Sequence, residues 1–263
     1  MAIPPPMDRR TVIFLALTSS VCVCALVCAV GSVGVPLVKR LTVVAYRGAL
    51  LSAVAAFVYR LAYSFKLEGG YSLTALRSAV QPLAASNGFQ YTLYALLFLT
   101  GRPVPTVLFP LVVCSAYQVA TIAHKHFGDS AVYQRVGGAR AFTYMQENMH
   151  RALMMCATME VSVLLLVLME LVTPARSVTR VVMYVNVLRA KYACTDNTVF
   201  RIKFTYYNTG FYHQQVWAMI GEKLAPVTTR APAVLTRPLG MAKAWFTGMA
   251  AKPQEAPAPK KEE

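Results

Sequence analysis

From Ser78 to Ala123 the chain carries a single charged residue, Arg102. A bilayer's hydrocarbon core is ~30 Å thick and takes about 20 apolar residues to cross as a helix. Ser78 to Gly101 and Pro103 to Ala123 are both uncharged, and each is long enough. Gly101-Arg102-Pro103 is a turn signal, because glycine relaxes φ and proline cannot donate to the preceding helical ladder. The pattern predicts two transmembrane helices joined by a tight turn, a central helical hairpin. Arg102 at its tip reaches lipid headgroups, where its charge stays hydrated. A buried hairpin in a soluble protein has the same local pattern. The rest of the chain decides between the two by repeating the membrane signal.

Of the 263 residues, 56% are hydrophobic and 14% charged, against ~25% charged in soluble domains. That composition predicts an all-α, polytopic integral membrane protein with no room for a large soluble domain. The net charge of +15 suits anionic lipid headgroups or an acidic protein partner. No nucleic-acid module is present, and no small-molecule substrate, cofactor or metal is implied. Cys22, Cys24, Cys28, Cys114 and Cys156 lie inside apolar runs and behave as small hydrophobes rather than a disulfide framework.

Thr11 to Val38 is uncharged and too long for a signal-peptide core, so it predicts an uncleaved first span. Gly48 to Tyr59 is a shorter apolar run between Arg47 and Arg60. Tyr46 to Tyr63 therefore either spans with both arginines snorkelling or lies in the interface. Ala152 to Thr173 is another run of membrane length, closed by Pro174, and it contains Glu160 and Glu170. A carboxylate at membrane depth is costly and is a functional hypothesis by default. Glu170 lies near the end and snorkels; Glu160 is expected to meet an arginine such as Arg47 or Arg60, or to stay protonated, in a packing role. His124, His126, His150 and His213 have no acidic partner at motif spacing, which argues against a membrane enzyme.

The chain thus divides into a transmembrane region, 1–173, with four or five spans, and a basic region, 174–252. In the latter, eleven Arg and Lys face Asp196 and Glu222. Phe200, Phe204, Tyr207 and Phe211 recur at helical spacing. Leu235, Leu239, Ala242, Trp245, Phe246 and Met249 make a second stripe, with Arg237, Lys243 and Lys252 off its centre or at its end. Basic amphipathic helices with Trp and Phe on the apolar side lie flat on membranes; the stripe from Leu235 fits that better, while the stripe from Phe200 fits packing against the transmembrane bundle equally. Residues 253–263 form a Pro/Ala/charge tail, which predicts disorder. Lys260 and Lys261 stand four and three from the C-terminus, the placing of a dilysine retrieval signal for the endoplasmic reticulum. The positive-inside rule puts the C-terminal region in the cytosol.

Several stretches, in order, resemble the transmembrane protein 33 family, also called Krüppel-homologue-2-like. Tyr46-Arg47-Gly48-Ala49-Leu50-Leu51 is similar to the family's Tyr-x-Arg-Ala-Leu-Leu segment. Tyr91 to Phe98, Pro103-Val104 and Leu108 to Leu111 are similar to its central hairpin. Glu160 falls where the family has Glu, and Tyr184 to Tyr192 is similar to its Tyr-rich segment. Thr195 to Thr198 replaces the family's Arg-Arg-Asn-Pro cluster. The resemblance implies a non-enzymatic protein of the endoplasmic reticulum and nuclear envelope. It also implies a role in nuclear pore distribution and membrane shape, beside reticulon-type or nucleoporin-type membrane proteins. The alternative is a structural subunit of a large membrane complex, for instance in the mitochondrial inner membrane.

Overall fold

The computed structural model describes residues 7–32, 39–64, 83, 86–172, 177–194, 201–202, 205–206, 209–228, 240–241 and 244. They form an all-α polytopic membrane protein. Helix α1 is Arg9–Ser32, α2 Lys39–Ser64, α3 Asn87–Leu99, α4 Leu108–Phe127, α5 Ala131–Arg135, α6 Gly138–Glu147, α7 Met149–Glu170, α8 Val178–Tyr192 and α9 Thr209–Thr228. A 3-10 turn, Pro105–Val107, leads into α4, and a two-residue ladder pairs β1, Arg201–Ile202, with β2, Thr205–Tyr206. Among the described residues four helices are long and apolar enough to cross a membrane: α1, α2, α7 and α4 with its leading turn.

Small residues bring α1 and α2 together. Ala45, Ala49 and Ala53 repeat every four residues on α2 and are buried against Val21, Ala25 and Cys28. Close approach of this kind lets dispersion and interhelical hydrogen bonds replace the absent hydrophobic drive in lipid. Ser20 Oγ and Ser52 Oγ stand 3.0 Å apart across the pair. The Arg10 guanidinium covers the Tyr63 ring at 4.7 Å, so Tyr46 to Tyr63 belongs to a long helix paired with α1 rather than to an interfacial segment. At the head of α1, Asp8 Oδ1 accepts from the Thr11 amide at 2.9 Å. Hydrogen bonds from Thr11 hold the Asp8 carboxyl below its usual range.

The central hairpin is built differently from the expectation. The break falls at Gly101-Arg102-Pro103, but a helix unbroken from Ser78 to Gly101 is excluded. Ser86 is extended (φ −74, ψ 137) and caps α3 by accepting from Phe89 N. A serine oxygen that satisfies an orphan helical N–H starts a new helix, a signal that hydropathy does not carry. The 13 residues of α3 give ~20 Å of helix, short of a bilayer core. Nor do the two arms rest chiefly on each other: α3 packs on α2 and α8, and α4 on α1 and α7. Tyr94 Oη joins them by donating to Val107 O at 3.1 Å.

Gly101 is where the turn meets the bundle. A methyl group there would stand 2.6 Å from Arg180 Nη2, and Arg180 pairs with Glu170 at 2.7 Å. Gly101→Ala should therefore displace the guanidinium and lose a pair worth up to about 1 kcal/mol at partial exposure. In a Glu170→Gln background the same change should cost nothing more, as thermal unfolding in detergent would show. Arg102 is exposed, so Arg102→Leu should leave the unfolding midpoint in place.

The stripe from Phe200 to Phe211 is not one helix. Arg201–Ile202 and Thr205–Tyr206 pair antiparallel, with Arg201 opposite Tyr206, as β-branched and aromatic residues favour. Helix α9 begins at Thr209 and packs on α7 and α8, burying Tyr212, His213 and Val216. Phe200, Phe204 and Tyr207 lie outside the described residues.

Candidate functional site: a buried charged cluster

Glu160 sits at the middle of α7, eleven residues or ~16 Å from Met149, and is 1% exposed. Its partners are neither Arg47 nor Arg60. Arg47 is exposed on α2, and α3 lies between α2 and α8. Instead Lys191 Nζ on α8 donates to Glu160 Oε1 at 2.7 Å. His213 Nε2 on α9 meets Oε2 at 2.8 Å. Both partners are buried as deeply as the carboxylate. Glu170, expected to snorkel, is paired with Arg180.

Local sequence explains how the two cations arrive. Tyr184, Leu188 and Lys191 are spaced by four and three residues, which is one face of a helix. That face is buried, with Tyr184 and Leu188 fully inside. Lys191 is therefore the polar end of an apolar stripe. Its ammonium also lies 3.4 Å from the centroid of the Tyr91 ring and 5.4 Å from that of Tyr94. A desolvated cation over an aromatic face is held by the ring quadrupole. Tyr184 Oη donates to the Glu160 main-chain carbonyl at 2.5 Å, so α8 grips α7 at backbone and side chain of the same residue.

Around this centre the polar groups are mostly paired. Gln90 Nε2 donates to Ala190 O at 3.3 Å. Cys194 Sγ donates to Asn87 Oδ1 at 3.3 Å, and Gln214 Nε2 to Tyr192 O at 3.1 Å. Tyr94, Phe98 and Tyr184 pack with ring centroids 5.3 to 5.9 Å apart. For a charged Glu160, His213 Nε2 must carry the hydrogen. His213 Nδ1 is buried with no partner among the described residues. That position suits a bare lone pair better than a second N–H. The hydrogen bonding thus fits one carboxylate, one ammonium and an imidazole protonated at Nε2. Each Glu160 oxygen accepts one short hydrogen bond, from Lys191 and from His213, at a residue closed to solvent. Among the described residues no group of three His, Cys, Asp or Glu side chains is placed to hold a metal.

The sequence singles out Glu160 but misses its partners, which lie 31 and 53 residues away along the chain. Lys191 looks like one more basic residue of the C-terminal region, and His213 like a histidine without an acid. The signal available was their position on apolar helical stripes. The hairpin residues Gly101, Arg102 and Pro103 stand at the opposite end of α3 from Asn87 and take no part. Arg237, Lys243, Trp245, Phe246, Met249, Lys252, Lys260 and Lys261 lie outside the described residues.

Comparison with known proteins agrees with the resemblance. The profile of the family described as Transmembrane protein 33/Nucleoporin POM33 matches residues 11–217. The chain belongs to this family. No curated protein and no solved structure gave a match. The Transmembrane protein 33/POM33 match reaches back through α1, earlier than the stretches that carry the resemblance. It takes in Glu160, Lys191 and His213 and stops four residues after the last of them. The basic stretch from Arg237 to Lys252 and the dilysine tail fall beyond it.

Proposed function

We propose that this chain is a non-enzymatic membrane scaffold of the endoplasmic reticulum and nuclear envelope, contributing to membrane shape and to nuclear pore distribution or assembly. One observation carries the reading beyond family membership. The intramembrane carboxylate is closed on both oxygens by Lys191 and His213, which is the chemistry of a clamp between helices. An acid–base catalyst must lie within hydrogen-bond reach of its substrate, whereas Glu160 is enclosed by the helices it joins. The clamp joins α7, α8 and α9, and α9 is the helix that precedes the basic C-terminal stretch in sequence. That stretch is the part suited to anionic lipid or to a reticulon-type or nucleoporin-type membrane protein.

Charge bias supports the orientation. The bundle end with Arg10 and Tyr63 also carries Arg9, Arg60, Lys125, Arg135, Arg140 and Arg151. The end with Gly101 and Glu170 carries Lys39, Arg40, Arg102 and Arg180. The positive-inside rule puts the richer end in the cytosol, and the seven basic residues from Arg201 to Lys252 favour a cytosolic C-terminal region.

A fluorescent tag at an internal position of the full chain should mark the nuclear rim and the reticular network. Mitochondrial location would overturn the proposal in favour of a subunit of a mitochondrial complex. In sealed microsomes an epitope after Lys252 should be lost to protease without detergent; its survival would reverse the orientation.

A further inference from the structure

The connector between α4 and α7 is not a slack loop: it puts Phe142 into the core and Met145 against it. Three residues, 128–130, separate Phe127 from α5, and Asn148 alone separates α6 from α7. Both ends of the connector are thus tied within a few residues to helices that cross the membrane.

Its internal turn is fixed. Gly137 adopts φ +75, a left-handed conformation that L side chains resist. The Tyr133 ring closes over Gly138, where an added Cβ would stand 2.5 Å from Cε2. Tyr133 Oη donates to Gly138 O at 3.0 Å. Helix α6 is anchored in turn to α4. Phe142 stacks on His124 with centroids 4.1 Å apart, and Tyr117 Oη donates to Met145 O at 2.7 Å.

What this rigid unit presents outward is apolar and basic together. Val132, Val136 and Tyr144 are 70%, 75% and 66% exposed. Arg135 and Arg140 of the same segment are also exposed, as is Lys125 at the end of α4. The acidic residues of the stretch are Asp129 and Glu147, so residues 125–147 carry three positive charges against two negative. Thr143 and Glu147 are also exposed on α6, on the same side as Arg140, three and seven residues on.

We propose that the α5–α6 connector is a membrane-surface foot. Val132, Val136 and Tyr144 sit among the lipids of the adjoining leaflet, and Arg135 and Arg140 sit on its anionic headgroups. Continuity with two spanning helices keeps the unit within reach of the bilayer. Its mix of aliphatic, tyrosyl and guanidinium groups matches the interface, where apolar burial and attraction to anionic lipid add. The foot is independent of the C-terminal stretch from Arg237 to Lys252, and of which organelle holds the protein.

The test uses the full chain reconstituted into vesicles. Val136→Cys and Thr143→Cys are each labelled with an environment-sensitive maleimide dye. The unsubstituted chain, carried through the same labelling, corrects for the native thiols. In vesicles of phosphatidylcholine and phosphatidylserine, the dye at 136 should be blue-shifted. It should also be quenched several-fold more by brominated lipid than the dye at 143. Adding Arg135→Glu and Arg140→Glu should remove most of that difference, as should raising the salt. Equal, water-like emission and quenching at 136 and 143 would overturn the proposal and leave an acidic protein segment as the ligand of this face. Quenching at 136 that is indifferent to phosphatidylserine, to charge reversal and to salt would overturn the headgroup contact.

Discussion

Glu160→Leu should destabilise the bundle by about 3–5 kcal/mol, because it leaves Lys191 charged, buried and without its counter-ion. The ammonium would keep the Tyr91 ring at 3.4 Å, but a cation–π contact is worth only ~2 kcal/mol when desolvated. The loss should appear as a lower unfolding midpoint in detergent and as reduced accumulation in cells. Lys191→Met alone should be similarly harmful, since it strands the carboxylate with the imidazole. The double variant Glu160→Leu/Lys191→Met should recover most of the loss, because a buried ion pair replaced by apolar groups of similar volume is often neutral or better. If the two single losses simply add in the double variant, the charges do not act on each other and the clamp is wrong.

The second large effect is expected at the membrane surface. A peptide from Thr236 to Lys252 carries Trp245, Phe246 and Met249 on one stripe, with Arg237, Lys243 and Lys252 off its centre or at its end. At ~25 cal/mol per Å² and ~150 Å² per ring, full burial of both rings gives about 7 kcal/mol. Half-burial still gives about 4 kcal/mol, roughly a thousandfold in partition. Trp245→Ala with Phe246→Ala should therefore abolish flotation with small anionic vesicles at any salt. Lys243→Ala removes ~1 kcal/mol and should matter mainly at low salt. If the doubly substituted peptide floats as well as its parent, the stretch is not a membrane-surface element and a protein-packing role takes its place.

Hydropathy made three of the four long helices legible. The apolar runs from Thr11, Pro103 and Ala152 correspond to α1, α4 and α7. The fourth, α2, was half legible, because Lys39, Arg40, Arg47 and Arg60 interrupt the apolar count without interrupting the helix. A long basic side chain can leave a span and keep its charge wet. The run from Ser78 misled for the opposite reason. It has no charge to mark a boundary, and the boundary at Ser86 is a hydrogen bond to a backbone N–H. Glu160 stood out as an unexplained carboxylate at membrane depth. Its partners did not, since the pairing is made by tertiary packing of α7, α8 and α9, and no local spacing encodes it. A general lesson follows from Tyr184, Leu188 and Lys191. A charged residue in register with an apolar helical stripe is a candidate partner for a lone intramembrane charge.

In the proposed role Glu160, Lys191 and His213 hold helices together. Its most direct test is the triple variant Glu160→Leu/Lys191→Met/His213→Leu, expressed as the full chain in cells that lack the protein. This variant should fold within about 2 kcal/mol of the parent, reach the same membranes and restore nuclear pore distribution. A triple variant that folds and localises normally, yet fails to restore pore distribution, would show that the buried charges themselves carry the function.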